Sequence, residues 1–222
     1  MFRFLVVEDV EFTLDQIIKL LSGEFADAQI DGAATVRRGT ELIEEAARNR
    51  KIYDAAILDF RLPLDAGTNP EVDESLCLAI REKMPDTLVA HITSFITDPR
   101  VERHLAQVHS EAADPKAITL DKENVDWGSH LVKRLKSHLY GRRIEPQVND
   151  LFGPGDPASD LAMERSSSTS GRRSITPKLA ALTRDLESHY QDLEPRLQRR
   201  IDRYFAQRPV SGRLRFGLRD LG

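Results

Sequence analysis

An α/β fold built on a five-stranded parallel sheet, with helices on both faces and a helical extension after it, is what this sequence predicts. Three observations lead there. Short, continuously apolar runs such as Phe4–Val7 and Ala55–Leu58 have the character of strands buried on both faces. Between the runs, apolar residues recur at helical spacing, so strands and helices alternate, as a doubly wound sheet requires. Most of the strands also end in polar residues, Glu8-Asp9, Asp59, Thr93 and Asp121-Lys122.

In order, Phe4–Val7 is the first strand. A helix follows on Leu14, Ile17, Ile18, Leu21 and Phe25, with Thr13 as its N-cap candidate and Gln16 three residues on. Gln29–Ala33 is a short strand, and Thr35–Arg50 a helix with Leu42, Ile43, Ala46 and Ala47 inward. The third strand ends at Asp59. Leu62–Asp73 reads as loop, being rich in Pro, Gly and Asn, and a helix from Glu74 to Lys83 buries Leu76, Leu78, Ala79 and Ile80 before Pro85 closes it. Thr87–Ile92 is the fourth strand, with His91 an interior histidine. A helix over 98–110, a fifth strand at Ala117–Leu120 and a helix from Asp126 to Leu139 complete the repeat.

The globular part is therefore expected to span 1–140. Residues 141–174 hold Pro146, Pro154, Pro157 and a Ser/Thr run at 166–170, and read as a flexible linker. Apolar residues return at Leu179, Leu182, Leu186, Tyr190, Leu193, Leu197, Ile201 and Tyr204, an amphipathic stripe within 175–207. Pro195 interrupts it, either kinking one helix or opening the first turn of a second. Residues 208–222 are Arg-rich and loose.

Charge divides along the same line: residues 141–222 hold 15 Arg/Lys against 11 Asp/Glu, whereas 1–140 hold 17 against 25. The single cysteine, Cys77, excludes an intrachain disulfide and lies in an apolar run as a small core residue. No apolar run approaches membrane-span length, so a cytoplasmic protein is expected.

In a doubly wound sheet the polar strand ends converge at the carboxyl edge. Carboxylates from Glu8, Asp9 and Asp59 would repel one another there, and a hard divalent cation with oxygen ligands, most simply Mg²⁺, relieves that repulsion. A hydroxyl and an ammonium opposite complete a pocket for a phosphoryl group.

With these residues in place, 1–140 resembles a response-regulator receiver domain of two-component signalling, whose fold is flavodoxin-like. The resemblance rests on Glu8-Asp9 after the first strand, Asp59 in Ile57-Leu58-Asp59-Phe60-Arg61-Leu62-Pro63, Gly67 eight residues on, Thr93 after the fourth strand and a lysine after the fifth. It implies that Asp59 accepts a phosphoryl group from a histidine kinase or phosphotransfer protein. It also implies that Asp9, Asp59 and the Arg61 backbone carbonyl hold Mg²⁺, with Glu8 acting directly or through water, and that Thr93 and Lys122 contact phosphoryl oxygens. The fifth strand departs from the family pattern: no proline follows Lys122, and neither Ile118 nor Thr119 is aromatic. Asp121 or Lys116 are then alternatives for the position of Lys122.

The extension lacks a helix-turn-helix, a Gly-rich phosphate loop and any catalytic cluster, so enzymatic output beyond Mg²⁺-dependent self-phosphorylation and dephosphorylation at Asp59 is not expected. The 179–204 stripe suggests packing on the globular part, self-association, or docking of a downstream protein. Acids at 185, 187, 192, 194 and 202 interleave with the arginines and argue against nucleic acid. The function expected is a phosphorylation switch whose output is protein association through the C-terminal helix; a scaffold that binds partners without phosphorylation is the alternative. A hydrolase using Asp59 would want a carboxylate two residues on, where Arg61 stands.

Overall fold

The computed structural model describes residues 1–108, 117–152 and 172–207. These fall into two compact units, Met1–Leu135 and Lys136–Gly222. Lys116, the stretch 153–171 of the expected linker and the tail 208–222 lie outside the described residues.

The first unit holds β1 (Arg3–Val7), α1 (Glu11–Glu24), β2 (Gln29–Ala33), α2 (Val36–Arg48), β3 (Ala55–Asp59), β4 (Arg61–Leu62), β5 (Glu71–Val72), α3 (Ser75–Lys83), β6 (Leu88–Thr93), α4 (Pro99–Val108) and β7 (Ala117–Asp121). β1, β2, β3, β6 and β7 form one parallel sheet in the order β2-β1-β3-β6-β7. β3 lies at its centre and every residue of it is buried, as its unbroken apolar run requires.

Strand alternation sends Leu5, Val7, Ala56, Leu58 and Val89 to one face, where they join Ile43, Ala46, Leu76 and Ile80 of α2 and α3 in a single core. On the other face Phe4 packs its ring on Phe25, just past α1, with centroids 5.1 Å apart. Local chemistry starts α2 and α3: Thr35 Oγ1 accepts the Arg38 amide at 3.2 Å, and Asp73 Oδ1 accepts the Leu76 amide at 3.2 Å.

Several local expectations need correction. α1 starts at Glu11 after Val10, so Thr13 is inside the helix and caps nothing. Leu78 is exposed; the inward face of α3 is Leu76, Cys77 and Ile80, the last two three apart and adjacent on the helix. The loop after Leu62 contains a short antiparallel ladder, Arg61 opposite Val72 and Leu62 opposite Glu71, with Gly67 at φ +84° in its turn.

The largest difference concerns α5 (Trp127–Phe152), which runs twelve residues past the expected boundary at Tyr140. Pro146 stands inside it, forfeiting the bond its N–H would make to the carbonyl four residues earlier. Ile144 and Val148, one turn apart and fully buried, offset that loss. Residues 141–152 are therefore helix and not linker. Because Pro146 is itself exposed, Pro146→Ala is expected to stabilise the second unit by up to about 3 kcal/mol. A rise in the urea midpoint of a full-length variant checks this, and an unchanged midpoint counts against it.

The second unit continues with α6 (Arg172–His189), a single 3₁₀ turn (Tyr190–Asp192) and α7 (Pro195–Gln207). Of the two readings of Pro195, the structure adopts the second: Pro195 is the first residue of α7, where its missing N–H has no helical partner to lose. Tyr140 of α5 stacks on His189 of α6 with centroids 3.7 Å apart, and Arg143 and Gln147 both donate to Asp185 at 2.7 Å. Leu182, Leu186, Leu193, Leu197 and Ile201 are all buried. Of the stripe expected to pack on the globular part, to self-associate or to dock a partner, these leucines and Ile201 are thus covered within this chain and in this conformation are not a free association surface.

Candidate functional site

β1, β3, β6 and β7 end side by side, in the register Val7–Leu58, Asp59–Ile92 and Thr93–Asp121, and this brings the strand-end residues together. Glu8, Asp9 and Asp59 each offer a carboxylate oxygen, all within 4.8 Å of one another. Glu8 and Asp59 are buried and Asp9 is half-buried. Lys122 reaches in from the end of β7: its Nζ lies 2.6 Å from Glu8 Oε2 and 2.6 Å from Asp59 Oδ2. The other Asp59 oxygen, Oδ1, accepts the Phe60 amide at 2.6 Å.

Asp121 does not share this position; its Oδ1 accepts the Glu123 amide at 2.9 Å. Thr93 is buried, with Oγ1 accepting the Phe95 amide at 3.0 Å and its carbonyl accepting the Lys122 amide at 2.9 Å. Arg61 sits at the edge of the site, its amide 3.5 Å from Asp59 Oδ1. Its guanidinium lies over the Phe95 ring, 4.6 Å from the centroid.

Burial, and then the charge of neighbouring Asp59, pushes the Glu8 carboxyl above its ordinary value; the Lys122 ammonium pulls the other way. Burial also pushes Asp59 up, partly offset by Lys122 and by the Phe60 and Arg61 amides. One ammonium is too little charge for three carboxylates. The donor set, carboxylate oxygens converging from two strand ends, fits a hard divalent cation such as Mg²⁺.

Two features were not read from the sequence. Phe60 is buried and stacks on His91 with centroids 4.2 Å apart and planes 19° apart, forming an aromatic floor beside Asp59. The Arg61–Phe95 contact joins two loops far apart in sequence, and only the presence of an aromatic residue two past Thr93 hinted at it. His91, read as an interior histidine, is indeed buried. Thr119, where the family pattern has an aromatic, is half-buried and pairs with His91 in the ladder.

No family model matches the sequence, and no curated protein matches it. Among solved structures, the chain is similar to a response-regulator receiver protein from Sinorhizobium medicae WSM419, at 17% identity and TM-score 0.48, over 64% of this chain and 96% of that one. It is similar to a CheY-like receiver domain from Methanospirillum hungatei JF-1, at 19% identity and TM-score 0.48, over 65% and 98%. It is also similar to the receiver domain of a DNA-binding response regulator from Colwellia psychrerythraea 34H, at 21% identity and TM-score 0.46, over 63% and 98%. Among the described residues no helix is long and apolar enough to cross a membrane. By its own strand order, 2-1-3-4-5 when the sheet's strands are numbered along the chain, the first unit is a doubly wound, flavodoxin-like parallel sheet with its polar strand-end residues gathered at the carboxyl edge.

Proposed function

We propose that the protein is a cytoplasmic response regulator in which Asp59 accepts a phosphoryl group from a histidine kinase or phosphotransfer protein. The observation that carries this reading is the position of the Lys122 ammonium, 2.6 Å from both Asp59 and Glu8, beside a third carboxylate. A carboxylate oxygen of Asp59 attacks the phosphorus of a phosphohistidine. The P–O bond forms as the P–N bond breaks, and the imidazole nitrogen leaves with the bonding pair. Lys122 turns from its carboxylate partners toward one oxygen of the transferred group, and the Thr93 hydroxyl donates to another. Glu8, Asp9, Asp59 and the Arg61 backbone carbonyl would hold Mg²⁺, which when bound offsets charge on the transferring group. The chemistry of the chain is limited to this transfer and to hydrolysis of the acyl phosphate.

Exposed apolar side chains stand on the loops around the site: Val10, Leu64, Phe95 and Val125, with Phe12 in the first turn of α1. A carboxylate cluster ringed by exposed apolar groups suits a protein donor, because such patches mark protein contacts. The added charge, about −1.5 to −2, draws the Thr93 loop inward and changes which protein surfaces are displayed. The output is a change in protein association, for which opening of the second unit to expose its covered leucines is one route.

Incubation with acetyl phosphate and Mg²⁺ tests this. The intact chain is expected to gain the mass of one phosphoryl group, and the Asp59→Asn variant none. Equal masses for the two proteins, together with no change in molar mass on adding beryllofluoride, would sink the phosphoryl-acceptor reading and leave a phosphorylation-independent scaffold.

A further inference from the structure

Two of the acids that interleave with arginines along the C-terminal sequence, Asp185 and Asp202, are engaged elsewhere than with the arginines of α7. Asp185 is taken up by Arg143 and Gln147, and Asp150 by Lys178 at 2.6 Å. Asp202 accepts the Tyr190 hydroxyl at 2.6 Å. On α7 the arginines gather on one face. At 100° per residue, Arg196, Arg199, Arg200 and Arg203 fall within an arc of about 100°, running about 10 Å along the helix. Asp202 lies about 60° beyond its edge, and Glu194 precedes the helix. Arg196, Arg199 and Arg203 are exposed, and among the described residues Arg196 and Arg199 have no ion pair.

From this face we infer that α7 binds the phosphate backbone of a nucleic acid. Three further observations favour that occupant over an acidic protein or a lipid surface. The apolar side of α7, Leu197 and Ile201, is buried, so no apolar face is left to enter a membrane. Every large apolar side chain that stands exposed among the described residues, from Met1 to Val125, belongs to the first unit. Among its described residues the second unit therefore shows no exposed apolar centre of the kind a protein interface uses, whereas a backbone of phosphates needs only donors and charge. Guanidinium forks also match phosphate oxygens in pairs. Finally, the sign persists along the chain: residues 195–222 hold eight arginines and two acids, and no acid stands between Arg203 and Asp220.

Charge asymmetry sets which end meets the ligand. Residues 1–135 carry 25 acids against 16 Arg/Lys, and residues 136–222 carry 16 against 11. The first unit is repelled by a polyanion and the second attracted, so binding is through the C-terminal end alone and makes no use of Asp59.

Fluorescence anisotropy of a short labelled duplex DNA of mixed sequence, titrated with the full-length chain over a range of salt, tests the proposal. Neutralising two phosphates, with Arg196 and Arg199, gives a slope of log K against log salt of about −1.8, steeper if further arginines join. The double variant Arg196→Gln/Arg199→Gln, both on the solvated face, is expected to make the slope shallower by about 2 and to weaken binding at least about tenfold at low salt. Asp59→Asn is expected to bind like the unaltered chain, which separates this proposal from the phosphoryl-acceptor reading. No binding at low salt, or binding indifferent to the double substitution, overturns it. So does displacement of the label by polyglutamate as effectively, charge for charge, as by unlabelled duplex, since the face would then be one for acidic protein.

Discussion

Lys122→Ala is expected to cost about 3–5 kcal/mol at neutral pH without added metal, because it strands two buried carboxylates that share one ammonium. The cost depends on pH in a direction the site dictates. Glu8 and Asp59 are both held above their ordinary values of 4.5 and 3.8 in the folded chain. Such groups contribute stability that is fully present below the unfolded value and is lost as pH rises through the folded one. Removing Lys122 removes the interaction that holds both carboxyls down, so the folded values climb further and the loss deepens toward higher pH. Urea unfolding in the presence of a chelator, compared at about pH 5 and about pH 8, should show the larger deficit at the higher pH. Adding Mg²⁺ at pH 8 should restore part of it, since a ligand that binds only the folded state stabilises it. A deficit equal at both pH values and indifferent to Mg²⁺ would mean that Lys122 is not the counter-charge of this cluster.

Phe60→Ala carries the second large effect, about 3–5 kcal/mol, through the cavity left beneath the site. Phe60 is fully buried and its ring is stacked on His91, so truncation removes packed volume and a ring contact together. The substitution leaves the residue-60 amide in place, and that amide is what holds Asp59 Oδ1. A variant with a markedly lower urea midpoint but an undiminished phosphoryl yield per folded molecule is therefore the outcome expected. Loss of yield in proportion to loss of the ring, with stability kept, would assign Phe60 a part in the chemistry.

Much of the first unit could be read from the chain because parallel strands buried on both faces are continuously apolar. Ala55–Leu58 leaves little alternative to a central strand, and once the order of strands is known Glu8, Asp9, Asp59 and Thr93 must meet. Lys122 was ambiguous for a different reason. Its neighbours depart from the family pattern, yet its placement follows from where β7 stops, since Thr93 and Asp121 are paired and the next residue must emerge over the site. The continuation of α5 was hidden because Pro146 and a polar composition outweighed two apolar residues spaced one turn apart, Ile144 and Val148. The β4–β5 ladder is two residues long on each side, too short for any alternation to show. The grouping of arginines on one face of α7 does not show in the linear sequence, because linear proximity of opposite charges says nothing about who holds the acids. Tyr190 and Arg143 do, and neither relation has a local period.

The single hydrogen bond from the Lys122 amide to the Thr93 carbonyl ties together the two residues nearest the acidic cluster on β6 and β7. It makes them one mechanical part. The same threonine holds the start of the next loop, because its hydroxyl oxygen accepts the Phe95 amide at 3.0 Å. The backbones that carry the hydroxyl and the ammonium are thus joined at this point. New charge at Asp59, as proposed above, is therefore expected to be met by the ends of β6 and β7 together and not by two independent contacts.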